Sequence, residues 1–235
     1  MDRIELIWLV RTVGILGILA LVIGAAMPKP KLNKEERKAL CGAGFQGPIT
    51  GLELSRSVEV YNIFARSKDH QKAIRRNLSL DFLFIPTYVL LYVGLAVLLA
   101  RHGTGWPLVL GVAAGILAVT AGIFDVMENR RVLDLLAAAQ PDGALDGIWF
   151  ASVIKWTAIA ASSLLLAPLF LRRHPPFEWI DVYFLLIGLF LVIAGIGLGT
   201  VWRGRLAELS ITTTLPALAL VLPWAIWPAS FLDRL

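Results

Sequence analysis

Six long apolar runs constrain this chain more than any other feature. They lie at about 6–27, 80–101, 106–127, 148–171, 178–201 and 209–231. A run of roughly 18 or more apolar residues is long enough to cross the hydrocarbon core of a bilayer as a helix. In that medium every backbone amide must find its partner within its own segment. The expected fold class is therefore all-α: a polytopic integral membrane helical bundle of six transmembrane helices. The runs fill most of the 235 residues, so 1–235 reads as a single transmembrane domain. Composition agrees, with 57% hydrophobic and 17% charged residues, against about 45–50% and 25% in soluble domains.

The first run does not resemble a cleaved signal. Asp2, Glu5 and Arg11 stand where a short basic region belongs, the apolar part is long, and "AAM" before Pro28 is a poor cleavage site. A retained helix is expected. Cys41 is the single cysteine, so pairing says nothing about compartment.

Charge gives the orientation. The stretch 28–79 holds eleven Lys and Arg against five acids, more than the whole excess of +5. The basic character is thus a local topology signal and excludes a nucleic-acid reading. With six spans, the first, third and fifth loops share a side, and they carry most of the Lys and Arg outside the runs, including Arg130, Arg131, Arg203 and Arg205. Basic loops stay cytoplasmic. The 28–79 loop is therefore expected in the cytoplasm and both termini outside, in a plasma (inner) membrane. Trp8, Trp106, Trp179, Trp224 and Trp227 suit one interfacial belt, and Trp149 and Trp202 the other.

This topology brings the polar residues of the runs to one depth. The second helix starts on the cytoplasmic side with Asp81. The third ends there with Asp125, Glu128 and Asn129. The fourth starts there, with Lys155 and Trp156 about two turns in. In the third helix Gly111, Gly115, Ala118 and Gly122 form a stripe whose next steps are Asp125 and Asn129. Small residues mark close helix approaches, so these polar groups should face the bundle. Asp81, Ile85, Tyr88 and Tyr92 share a face of the second helix, and Ala151, Lys155, Ala158 and Ser162 a face of the fourth. A charge at mid-membrane costs roughly 3 kcal/mol or more, so Lys155 is expected to pair with Asp125 or Asp81.

Several chemistries find little support. Asp125-x-x-Glu128 puts two carboxylates one turn apart, a spacing that suits a hydrated Mg²⁺. The prenyltransferase and alcohol-phosphatidyltransferase families carry a second acidic motif, which is missing here, and no metal is expected. His70, His102 and His174 lie in or near loops. No nucleophile elbow, P-loop or Cys/His metal spacing occurs. Ser162 and Ser163 are expected to bond to backbone or to line packing contacts. The plain alternative for the charged group is an ion pair that fixes helix register.

The first loop has structure of its own. Asn33 and Glu36 form a capping-box pattern opening a short helix. Residues 51–76 read as one amphipathic cytoplasmic helix, with Leu54, Val58, Tyr61 and Ala65 on one face. Glu53 and Arg56 at its start could cap the polar slab, but solvent exposure is the stronger expectation. Lys68, Lys72, Arg75 and Arg76 are expected to meet anionic lipid head groups. Pro216, Pro223 and Pro228 predict a bent sixth helix.

The order "GLELSRSVE", "LDFLFIPTY", "AGIFDVMEN", "IKW" resembles a broad group of uncharacterised small bacterial polytopic membrane proteins. Their pattern has an L-E-x-A-like helix start, then D-x-x-F-I-x-x-Y, D-x-x-E-N and a K-[FW] pair. The resemblance covers about residues 51–156. It implies a shared core site at Glu53, Asp81, Tyr88, Asp125, Glu128, Asn129, Lys155 and Trp156, and implies no particular chemistry. Ser55 departs from the pattern's alanine.

The leading expectation is a polar intramembrane pocket near the cytoplasmic leaflet that binds or modifies a lipid or other small amphiphile. Such pockets have apolar walls and a few convergent polar groups. If the site is catalytic, Asp125 or Asp81 would be the acid–base group and Lys155 an electrostatic stabiliser. One alternative is a transporter or channel-like protein with Asp125 as a proton or ion coupling site, which predicts a broken helix. Another is a non-catalytic subunit that docks a cytoplasmic partner through the basic first loop. Membrane lipids are the expected partners. The small-residue stripes suit packing within one chain or in a homo-oligomer.

Overall fold

The computed structural model describes residues 2–101, 104–138, 143–171, 179–198 and 221–232. Every element among them is an α-helix: α1 (Arg3–Ala26), α2 (Lys34–Gly42), α3 (Pro48–Leu54), α4 (Val58–Ala65), α5 (Lys68–Ala100), α6 (Trp106–Ala138), α7 (Ala144–Leu171), α8 (Trp179–Leu198), α9 (Pro223–Ile226) and α10 (Ala229–Leu232). α1 packs on α5, α5 on α6, α6 on α7 and α7 on α8, while α9 and α10 close against α1.

Four helices are long and apolar enough to cross a membrane: α1, α5, α7 and α6 up to Ala137; α8 holds a shorter apolar stretch, Asp181–Ile193. Of the expected sixth run, only 221–231 falls within the described residues. It forms two short helices in place of one. Pro228 has no N–H and pushes the residue before it out of the α region; Trp227 sits at φ −121°, ψ 58°.

α5 and α6 run well past the apolar runs that predict them. α5 begins at Lys68, before Asp81, and α6 continues to Ala138, beyond Asn129. The overhangs are held by a cap built from α2, α3 and α4. Leu40, Leu52, Val60 and Phe64 pack there with Ile74 and Leu78 of α5, Val132 and Leu135 of α6, and Ile148 of α7. This second core is separate from the larger apolar core of the bundle.

The expected single helix over 51–76 is broken twice. Ser57 accepts from the Val60 N–H and starts α4, and Ser67 accepts from the His70 N–H and starts α5. Serine side chains compete with helical bonding by capping a new helix instead. The buried face is accordingly Val60, Tyr61 and Phe64, while Val58 is exposed. The Asn33–Glu36 capping box is formed in full at the start of α2. At α3, Pro48 stands in the first turn, where a missing N–H costs nothing.

The small-residue stripe of α6 sets its distance from α5. A Cβ on Gly122 would lie 2.6 Å from Val89 Cγ2. One on Gly111 would strike the Ala100 side chain and stand 3.0 Å from the Ala96 carbonyl oxygen. The stripe therefore packs within this chain, and it brings the last turns of α6 against the start of the apolar part of α5.

Candidate functional site

Four helices deliver charged and polar side chains to one place. α6 supplies Asp125, Glu128 and Asn129, at i, i+3 and i+4 and so on one face. α5 supplies Asp81 and Tyr88, two turns apart. α7 supplies Lys155 and Trp156, and the cap helix α3 supplies Glu53.

Lys155 is the centre. Its Nζ lies 2.8 Å from Glu128 Oε1, 3.2 Å from Asp125 Oδ1 and 3.3 Å from Glu53 Oε2. An ammonium has three donors and no acceptor, so these carboxylates use all of them. Its Nζ also stands 4.7 Å from the centre of the Trp156 ring, in reach of a cation–π contact. The Trp156 indole N–H donates to Glu53 Oε2 at 3.3 Å. The Tyr88 hydroxyl donates to Asp125 Oδ2 at 3.0 Å, so both oxygens of that carboxylate are engaged. Beside this group, the Asn129 amide donates to Asp81 Oδ2 at 2.7 Å. Lys155, Asp125, Glu128 and Asn129 are each at most 4% exposed.

Of the two partners expected for Lys155, Asp125 is bonded to it. Asp81 takes the Asn129 amide, and Lys155 takes Glu128 and Glu53 as well. Glu53 corrects the sequence reading. Expected in solvent from spacing, though grouped with the site residues by the resemblance, it is buried at the end of α3 and closes the cluster from the cap side. The apolar neighbours Leu52 and Leu54, both buried, carry it there. Arg56 is exposed as expected; it pairs with Asp146 at 2.6 Å and lies over the Trp149 ring.

The cluster sits at a seam. On the bundle side, exposed large apolar residues begin at Leu83 in α5, end at Met127 in α6 and begin at Phe150 in α7. On the other side of that line Arg75, Arg76, Arg130 and Asp146 are exposed. Trp156 packs against both the bundle core and the cap core. Arg131, donating to the Gly147 carbonyl, ties α6 to α7 just outside the seam. Lys68, Lys72, Arg75 and Arg76 line the exposed face of the α5 overhang; Arg75 also reaches the Leu136 carbonyl oxygen.

Deeper in the bundle the serines are engaged. Ser162 donates to the Ala114 carbonyl, and Ser163 shares a 2.9 Å hydrogen bond with the Tyr92 hydroxyl. His70 is buried in the cap with its ring nitrogens 3.0 and 3.1 Å from the Ile63 and Lys31 carbonyl oxygens, which pins the α1–α2 connection to α4 and α5. His102 and His174 lie outside the described residues. Among the described residues no group of three or more His, Cys, Asp or Glu is arranged to hold a metal ion. The Lys155 ammonium occupies the centre of the three carboxylates.

Chemically, the arrangement is an acid-rich polar group at the edge of an apolar wall, closed by one short cap helix. It can accept hydrogen bonds and positive charge. No protein-family model, no curated protein and no solved structure matches this chain, so any function rests on this geometry.

Proposed function

We propose that this is a multi-pass protein of the bacterial inner membrane with six spans, whose acid–lysine cluster is a binding site for a lipid or small amphiphile at the cytoplasmic leaflet. The observation that carries this reading is the convergence of Glu53, Asp81, Asp125, Glu128 and Lys155 from four helices at the seam between an apolar bundle and a polar cap. A buried charge at membrane depth is, by default, a reason to look for a functional site. An amphiphile would lay its tail along the bundle and bring its head group to the seam.

Membrane embedding is supported by large apolar side chains left exposed around the bundle, among them Val109, Val112, Ile116 and Ile123 along one face of α6. In water such a stripe would be an aggregation surface; in lipid it is the ordinary outer face. The basic overhang of α5 and the cap supports a cytoplasmic placement of this end.

A second reading, Asp125 as a proton or ion coupling site, is favoured by the excess of carboxylates over ammonium in the cluster. It expects a discontinuous helix at the site; α5 and α7, which carry site residues, run unbroken through Pro86 and Pro168, and the interrupted pair α9 and α10 packs on α1 instead, which supports the amphiphile reading over it.

Photo-crosslinking tests the proposal. The protein is placed in nanodiscs with an alkyl probe carrying a diazirine near its head group. Labelling of peptides containing Tyr88, Val126 or Trp156, suppressed by excess unlabelled probe, is the expected result. Label confined to the exposed stripe of α6, without competition, would defeat it.

A further inference from the structure

The cluster is unbalanced in a way that names its ligand. Three carboxylates stand within 3.3 Å of one ammonium, with Asp81 bonded alongside through Asn129. If all ionise, the three and Lys155 carry a formal charge of −2 in a nearly sealed volume. Buried charge of one sign is relieved by proton uptake or by a counter-charge within a few ångströms.

A second observation, independent of the count, shows where the counter-charge is missing. Glu128 is 1% exposed. Its Oε1 receives Lys155, but its Oε2 is sealed from solvent and, among the described residues, has no hydrogen-bond donor. Buried carboxylate oxygens are nearly always satisfied, and an orphan needs an explanation. Because Oε1 lies on Lys155 Nζ, its twin oxygen is held at the same cluster. Lys155 has no proton left to give, and Asp125 and Glu53 are acceptors.

We infer that the missing member is a positively charged hydrogen-bond donor, and that the site takes the ammonium group of an amine-bearing amphiphile, received by Glu128 Oε2. This rests on the amphiphile reading above and sharpens it to a head-group class. The same charge count rejects an anionic head group. A phosphate would meet three carboxylates across hydrogen-bond distances, and a like-charge approach of that kind is how sites exclude a wrong ligand. Glu53 stands on α3, between the cluster and the cytoplasm, so displacing that one short helix would open the path to Lys155 and Glu128.

The test is a competition assay with radiolabelled decylammonium on immobilised protein in mild detergent, read by scintillation proximity. Unlabelled decylammonium, decanol, decyl phosphate and ethylammonium compete. Wild type should prefer decylammonium over decanol by roughly tenfold to a hundredfold, the size of one charge-assisted hydrogen bond, with decyl phosphate weakest. Glu128→Gln should erase most of that preference. Equal competition by all three decyl compounds in wild type would overturn the head-group inference and leave the amphiphile reading standing. Ethylammonium competing as well as decylammonium would keep the ammonium and overturn the amphiphile. No saturable binding by any of them would overturn both. A preference unchanged in Glu128→Gln would remove Glu128 from the site.

Discussion

Replacing Lys155 by Met tests whether the cluster is built as described. The new side chain fills similar volume but removes the one ammonium that Glu53, Asp125 and Glu128 share. Stranding a buried ionic partner typically costs about 3–5 kcal/mol. Here three carboxylates lose their counter-charge, and Asp125 keeps only Tyr88. For a chain of this size each kcal/mol moves the midpoint by about 2–4 °C, so the apparent Tm should fall by roughly 6–20 °C. Arg56→Ala supplies the control. It breaks a shorter ion pair, 2.6 Å to Asp146, but both side chains are more than half exposed. Exposed pairs contribute about 0–1 kcal/mol, so this variant should stay within a few degrees of wild type. Thermal unfolding in the same detergent, followed by loss of helical circular dichroism, compares the two. A Lys155→Met shift no larger than that of Arg56→Ala would refute the description of a buried, shared ammonium. Adding Glu128→Gln to Lys155→Met should recover part of the loss, because it removes one stranded charge; strict additivity would count against direct contact.

Other outcomes follow from single contacts. Gly122→Val forces a side chain against Val89 and should destabilise by about 1–3 kcal/mol, checked by the same melt; an unchanged midpoint would mean that α5 and α6 are not held close there. Tyr88→Phe removes a buried donor to Asp125 and should lose roughly 1–3 kcal/mol, whereas Thr120→Val, at a half-buried side chain bonded only to its own helix, should lose much less. Asn33→Ala breaks the capping box of α2 and should weaken that helix by about 1 kcal/mol, read as faster amide hydrogen exchange over 34–42 with little change in the bundle. Glu53→Gln loosens the link between α3 and Lys155 and should speed exchange over 48–54 while α5 to α7 stay protected.

The bundle part of the site is legible in the sequence because closely packed apolar helices report their faces. The stripe Gly111, Gly115, Ala118, Gly122 continues into Asp125 and Asn129 at helical spacing, and the structure packs those glycines on α5 while Asp125 bonds Tyr88 and Asn129 bonds Asp81. Parity of the expected spans puts Lys155 at the same level, and the structure bonds it to Asp125 and Glu128. The cap is much less legible. Its apolar residues, such as Leu40, Leu52 and Phe64, are scattered among charges and form a core only against the overhangs of α5, α6 and α7. In those overhangs the apolar residues are interleaved with charges, so hydropathy ends the helices early. For the same reason Glu53 reads as solvated from spacing alone; only the resemblance places it with the other site residues. Ser57 and Ser67 are ordinary polar positions in an amphipathic pattern until their capping bonds divide it.

The most direct test of the central claim is native mass spectrometry of the protein released from mild detergent, with wild type and Asp125→Asn measured side by side and helical content matched. The account predicts a discrete bound mass, that of an amine-bearing amphiphile, on wild type and its loss in Asp125→Asn. If neither protein carries a discrete mass and Asp125→Asn only melts lower, the cluster serves to pin α3, α6 and α7 together, and the binding-site account is contradicted.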